Sequence, residues 1–327
     1  MTRYRRSGAL LARLVCFTGD ILARRGPAER RLCIVTYHRI LETSDPLQKS
    51  EPDVPTFRWQ MKLLADCFNV MPLKDALAAM AAGALPPRAV CITFDDGYRS
   101  MHDLALPILS EFDLPATVFV TSGYVGEGNM WNDKILEALR RMPAGALDLR
   151  EVGLGMREIR TMADRQRAID TLTETAKYLP PRRRVELIAC LEKLAGGELA
   201  PGLMLTPETL RTLTQHRIEI GAHTVSHPIL TSLDPDSARY EIEECKRHLE
   251  EITGSPVRFF AYPNGKIGSD FDARHVAMVR AAGFSAAFST AAGAASPVND
   301  RFQLPRSRPW DSTRLFYVLR LLRWLAL

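Results

Sequence analysis

The feature that most constrains this chain is a rhythm of short apolar runs separated by stretches of helical spacing. Residues 32–37, 89–94, 116–120, 218–220, 257–260 and 285–288 are rich in β-formers and apolar almost throughout. Continuous apolar runs of that length fit strands buried on both faces, and their alternation with helices fits βαβ units in a mostly parallel sheet. Phe57, Met61, Leu64 and Phe68 recur at helical spacing behind Thr56, a candidate N-cap. Further helices are expected over 73–82, closed by Gly83 and Pro86-Pro87, and over 207–216, 235–252 and 271–282.

The rhythm stops between about 131 and 205, where the chain is charged, helical in pattern and poor in strand formers. That stretch reads as a helical insertion lying over an α/β scaffold. At 327 residues the chain suffices for one large barrel or two modest domains. We divide it into a basic apolar segment over 1–31, the scaffold over 32–310 with its insertion, and an amphipathic C-terminal helix over 311–327.

The 43 Lys and Arg against 38 Asp and Glu leave a net charge of +5, too small an excess for the length to point to nucleic acid. Six cysteines are scattered without a CxxC pair, which fits reduced core residues and weakly favours a reducing compartment. Arg13, Gly19 and Asp20 interrupt the apolar stretch 8–23, so it falls short of the ~20 apolar residues of a membrane span. Arg13 and the lack of an Ala-x-Ala site argue against a signal peptide as well. The tail from Leu315 to Leu325 carries Arg320 and Arg323 on one side of an apolar helix, suited to docking on the scaffold or to lying in a lipid interface. A cytoplasmic protein, peripheral at the inner membrane, is the expectation.

Three polar clusters stand at the C-terminal ends of expected strands, where active sites gather in parallel α/β architectures. The first is Thr93-Phe94-Asp95-Asp96-Gly97-Tyr98. Adjacent carboxylates at a strand end repel unless a metal or an arginine offsets them. In a regular strand they face opposite ways, and a break at Gly97 would let both reach one cavity. Taken alone, a solvated Asp-Asp-Gly turn explains the motif equally well. The second is His223-Thr224-Val225-Ser226-His227, two imidazoles on one side of a helical turn, suited to one metal. The third, Arg258-Phe259-Phe260-Ala261-Tyr262-Pro263-Asn264-Gly265, offers turn amides that can serve an oxyanion, though alone it is a strand and a turn.

Together, in this order, the three clusters resemble the polysaccharide deacetylase family, carbohydrate esterase family 4. The resemblance runs over roughly 32–308 outside the insertion. It implies a distorted (β/α)7-type barrel and a divalent metal, most often zinc. By position the metal ligands would be Asp96, His223 and His227, with Asp95 the general base and Arg258 the residue that orients it. The backbone N–H of Tyr262 would hold the oxyanion. Tyr37-His38-Arg39-Ile40, Met130-Trp131-Asn132-Asp133 and Leu304-Pro305-Arg306 look like the branch associated with exopolysaccharide synthesis.

One part of the pattern is absent. The family's late Leu-x-Ile-x-His motif supplies an acid, and Leu304-Pro305-Arg306-Ser307-Arg308 contains no histidine. His38, at the tip of the leading strand, is the first substitute, with a simple strand-end hydrogen bond as its other explanation.

The resemblance implies hydrolysis of N-acetyl groups on amino sugars of a bacterial polysaccharide or its precursor, with an N-acetylated glycan as partner. The alternatives are hydrolysis of a non-sugar amide and a catalytically silent saccharide-binding or scaffold protein. Retention of base, ligands and arginine argues against the last. Two His and a carboxylate also match non-haem iron oxygenases, which the strand-end Asp-Asp-Gly and the Tyr-Pro-Asn-Gly turn disfavour.

Overall fold

The computed structural model describes residues 26–326, except 127, 198–201, 309, 310 and 312. The segment expected over 1–31 therefore lies mostly outside the described residues.

Six strands run parallel in the order β1 (Cys33–Tyr37), β3 (Ala89–Phe94), β4 (Ala116–Val120), β7 (Ile218–Ala222), β8 (Phe259–Ala261) and β9 (Ala286–Phe288). A two-residue strand, β2 (Asn69–Val70), pairs with the start of β3, where β4 does not reach. Between them run α1 (Val54–Cys67), α2 (Leu73–Ala81), α3 (Leu106–Glu111), α7 (Pro207–Thr214), α8 (Pro235–Thr253) and α9 (Ala273–Ala281). β1, β3 and β4 are buried at every position, as their unbroken apolar sequence requires.

A short segment closes the sheet. Leu304 bridges to Phe288 of β9 and Ser307 bridges to Val35 of β1, both in parallel sense. The Ser307 N–H donates to Ile34 O at 2.9 Å, and the Thr36 N–H returns a bond to Ser307 O at 3.1 Å. Residues 304–307 thus act as a stave between the first and last strands, and the sheet curls into the distorted (β/α) barrel expected from the sequence.

Two local details differ from expectation. Asp53, not Thr56, caps α1: its Oδ1 accepts the Thr56 N–H at 2.9 Å. The insertion holds α4 (Trp131–Arg141), α5 (Met162–Tyr178) and α6 (Pro181–Leu194), and also an antiparallel hairpin of β5 (Gly145–Asp148) and β6 (Met156–Ile159). Only Leu147 and Ile159 of the hairpin are buried, so it leaves too little apolar alternation to be read from sequence. The insertion packs a core of its own, with Trp131, Ile135, Leu139, Leu172 and Leu191.

The last helix, α10 (Arg314–Ala326), docks through Tyr317, Val318, Leu321 and Leu322. The Tyr317 ring meets Trp59 edge-on at 5.5 Å, and its hydroxyl lies 3.1 Å from the Tyr37 hydroxyl. Leu315, Phe316 and Leu319 on the opposite side stay exposed. None of the described helices is long and apolar enough to cross a membrane. The five described cysteines are buried and free of disulfides.

Candidate active site

The two carboxylates follow β3 directly. Asp95 still belongs to the ladder, its N–H donating to Tyr37 O at 2.9 Å. The chain then turns: Asp96 has φ 73° and Gly97 φ 89°, both in the left-handed region. The break therefore begins one residue earlier than Gly97, and it leaves both carboxyls buried and close enough for their charges to interact. At Gly97 a Cβ would lie 2.9 Å from Val120 Cγ1, so both its dihedral and its neighbour require glycine.

The histidine segment leaves β7 as a loop, not as the helical turn expected. Thr224 and His227 both take positive φ, 67° and 55°, and this folding back brings the rings together. Ring centroids of His223 and His227 lie 4.9 Å apart. Each Nε2 is 3.5 Å from Asp96 Oδ1. The loop is held by Glu241 of α8, whose carboxylate accepts the Val225 and Ser226 N–H groups at 2.8 Å each and the Ser226 hydroxyl at 2.5 Å. On its other side it packs so closely on Gly123 that a Cβ there would meet Val225 O at 2.6 Å.

These three residues fit a divalent metal. One ligand atom each from Asp96, His223 and His227 falls within a 4.8 Å cluster. Asp96 Oδ1 is buried without a protein hydrogen-bond partner. His223 Nδ1 sits 2.7 Å from Ala261 O, which assigns the proton to Nδ1 and leaves the Nε2 lone pair facing Asp96. Burial, then the nearby Asp95, pushes the Asp96 carboxyl up, while burial pushes both imidazoles down. A group of neutral imidazoles beside a carboxylate that lacks a countercharge is what a cation would complete.

Asp95 has its own countercharge, and it is not the one expected. Arg306, carried by the closing stave, donates from Nη1 to Asp95 Oδ1 at 2.6 Å and from Nη2 to Oδ2 at 2.8 Å. Both side chains are almost fully buried, at 1% and 4% exposure. Burial alone would raise the Asp95 carboxyl, but the Arg306 guanidinium outweighs it and brings the group down to about 2. Arg258 does not orient Asp95: it precedes β8, is 40% exposed, and its nearest carboxylate is Glu219 at 3.9 Å.

The Tyr262 N–H is also committed elsewhere, donating to Phe288 O at 3.1 Å across the β8–β9 ladder, while its hydroxyl bonds Phe302 O. Within that turn Gly265 N–H donates to Pro263 O, and proline has none. The Asn264 N–H, at φ 58°, is the amide there without a protein acceptor among the described residues.

His38 does reach the site. It follows β1 and lines, with Asp96 and Tyr98, a cavity of about 390 Å³ that runs from Asp96 to the insertion. Its Nδ1 is buried without a partner. Burial, reinforced by Arg308, lowers the imidazole to about 4 against the pull of Asp95 and Glu51.

Residues 82–287 match the polysaccharide deacetylase family. The chain belongs to that family. The matched region takes in both carboxylates and both histidines that face Asp96 in this polysaccharide deacetylase, and leaves out His38 and Arg306. A poly-β-1,6-N-acetyl-D-glucosamine N-deacetylase of Staphylococcus aureus (strain MSSA476) is 42% identical over 60 residues, 18% of this chain and 21% of that enzyme. The chain thus aligns with about a fifth of the length of the curated relatives it matches. Two solved structures share the fold. The deacetylase PplD of Streptococcus pyogenes, in complex with acetate, superposes with TM-score 0.61 at 18% identity, covering 91% of this chain and 99% of that one. IcaB of Ammonifex degensii gives 0.58 at 19% identity, covering 91% and 98%.

Proposed function

We propose that this polysaccharide deacetylase hydrolyses N-acetyl groups on amino sugars of a bacterial polysaccharide or its precursor, with zinc at Asp96, His223 and His227. The observation that carries the reading is the pairing of a cation-binding set with an independently neutralised buried carboxylate, Asp95, whose charge reaches His223 of that set. A binding or scaffold protein has no need of both. The named activity of the staphylococcal relatives supports an amino-sugar substrate, and the ligand chemistry of two imidazoles and one carboxylate suits zinc.

When bound, the ion supplies a Lewis acid that polarises a carbonyl and lowers the pKa of a water. Asp95 remains ionised at any working pH and accepts the proton of the attacking water. Arg306 occupies one lone pair on each Asp95 oxygen, which fixes the carboxylate plane and leaves the remaining lone pairs free. The Asn264 N–H serves the developing oxyanion in the place assigned to Tyr262. His38 gives a proton to the departing amine. With its imidazole lowered to about 4, His38 is neutral at the outset, and the proton it passes to the amine is the one Asp95 has taken from the attacking water.

The test is metal analysis with acetate release from N-acetylglucosamine oligomers. Wild type and Asp95→Asn should retain zinc and His223→Ala should not, and only wild type should release acetate. Equal release from all three overturns the assignment.

We also propose that the protein is cytoplasmic and peripheral at the inner membrane, through the exposed side of α10. Leu315, Phe316 and Leu319 with Arg314 and Arg323 support this. Arg320 contributes less, being tied to Asp311. Wild type should co-sediment with phosphatidylglycerol vesicles, and a Leu315→Ser, Phe316→Ser, Leu319→Ser variant should remain in solution; equal sedimentation refutes the contact.

A further inference from the structure

The cavity beside Asp96 contains a second buried carboxylate that the chemistry above does not use. α4 opens the insertion at Trp131, and its next two side chains, Asn132 and Asp133, line the same cavity as His38, Asp96 and Tyr98. Asp133 is 4% exposed. Its Oδ1 accepts from Arg39 Nη1 at 3.2 Å. Arg39 in turn lies over the Tyr98 ring, 5.3 Å from the centroid, so the carboxylate is held from a fixed direction. Asn132 Nδ2 donates to the Tyr98 hydroxyl at 3.3 Å, which orients its amide as well.

What remains open is chemically uniform. Asp133 Oδ2 and Asn132 Oδ1 are both buried and without a hydrogen-bond partner. Both are acceptors only, and a buried acceptor left unmet is destabilising. Burial shows in the Asp133 carboxyl itself, pushed up to about 6 in spite of Arg39 and a hydrogen bond with Tyr98. An apolar pair at the start of α4 would avoid this penalty, so the acceptors are explained by something that enters the cavity.

A second metal ion does not fit. Among the described residues only Asp96, His223 and His227 bring ligand atoms together at coordinating distance, and Arg39 already offsets the Asp133 charge. Neutral donors fit better. A pyranose ring carries hydroxyls on adjacent carbons, and a sugar whose acetamide reaches Asp96 presents them to this wall of the cavity.

We propose that Asp133 and Asn132 form a sugar-hydroxyl subsite that seats the acetamido sugar undergoing hydrolysis. The subsite rests on the deacetylase reading and adds to it a role for the insertion: α4 delivers two acceptors that the barrel strands do not supply. Asp133→Asn puts an amide where an acceptor was, so it weakens binding of the ring while all three residues of the metal set stay in place.

The experiment measures acetate release from an N-acetylglucosamine pentamer by wild type, Asp133→Asn and Asn132→Ala. Affinity for the glucosamine pentamer is read by calorimetry, and zinc affinity and Tm are measured alongside. Each variant should raise KM about tenfold, with kcat within about threefold and zinc affinity unchanged, and should weaken pentamer binding about tenfold. Unchanged KM and unchanged pentamer affinity in both variants overturn the subsite, whatever happens to Tm. Asn132→Ala keeps the question answerable if loss of the Arg39 partner unfolds Asp133→Asn. Failure of wild type itself to release acetate overturns the deacetylase reading, and the subsite with it; active wild type with unaltered variants overturns the subsite alone.

Discussion

Arg306 holds Asp95 in a two-pronged, buried ion pair across 211 residues of sequence, at 2.6 and 2.8 Å. The same residue's backbone lies in the stave that joins β9 to β1. Closure of the barrel and ionisation of the candidate base are therefore one structural event. Phe119 covers the guanidinium at 5.1 Å, and Ser289 O accepts its Nε at 3.3 Å, so the fork has little freedom to turn. A planar guanidinium suits this geometry and an ammonium does not.

Arg306→Lys should accordingly lower kcat for acetate release by about 100-fold, as the carboxylate loses its fixed plane. Arg306→Met should destabilise the fold by about 3–5 kcal/mol, because a buried charge is left without a partner. Arg258→Ala, which removes a half-exposed side chain facing Glu219, should stay within about twofold of wild type. Kinetics and urea unfolding on the three variants check this, and a large loss in Arg258→Ala with none in Arg306→Lys would return the orienting role to Arg258.

His38 offers a prediction in both activity and pH. His38→Gln should lower kcat by about 100-fold or more if the residue moves the proton to the amine, with zinc content unchanged. Burial and Arg308 lower the folded imidazole to about 4, against about 6.5 when unfolded. The unfolded chain therefore binds the extra proton between those values, and stability, full above pH 6.5, falls as pH drops toward 4. His38→Gln should make that fall shallower in urea titrations at pH 7, 5.5 and 4.5. Wild-type kcat and an unaltered slope would leave His38 as a strand-end residue only.

Much of the barrel is legible in the sequence because its strands are buried on both faces, so 89–94 and 116–120 declare themselves without alternation. The pairing of Asp95-Asp96 with His223 and His227 is legible too, since ligand chemistry restricts which side chains follow a strand. Arg306 is not. Its stave is four residues long and looks like a loop, and nothing local links it to a carboxylate 211 positions away. The one hint is the demand of two adjacent carboxylates for an arginine or a metal; the structure gives Asp95 the arginine and sets Asp96 beside two histidines whose ligand atoms cluster with its own. Arg258 stands before a strand in the third cluster, which on sequence alone suggests a role beside Asp95, whereas in the fold the carboxylate facing it is Glu219 at 3.9 Å. The loop geometry of the histidines was equally hidden, as positive φ at Thr224 and His227 depends on contacts with α8 and Gly123.

Metal binding should stabilise the fold through the same residues. An ion that binds only the folded chain, present at 100 times its Kd, adds about 2.7 kcal/mol. Zinc should therefore raise the Tm of the chelator-treated protein, and His227→Ala should abolish the rise, since one of its three ligands is gone. Equal shifts in both proteins would place the ion elsewhere.

Glu241 supports the site from a distance that sequence does not reveal. Its carboxylate gathers two N–H groups and one hydroxyl from the loop between the histidines, and it approaches neither imidazole in these bonds. Those bonds hold Val225 and Ser226 while Thr224 and His227 sit in the left-handed region, a conformation that costs about 1–3 kcal/mol per residue without outside support. Glu241→Ala should release the loop and let His227 leave the cluster. Zinc affinity should then fall about 10- to 100-fold, as it does when supporting shells around metal ligands are removed. Glu241→Gln keeps one carbonyl acceptor and should fall between the two. Competition titration against a zinc chelator measures the effect, and circular dichroism confirms that α8 persists. Wild-type zinc affinity in Glu241→Ala would mean that β7 and Ala261, which fix His223, are enough to assemble the metal set.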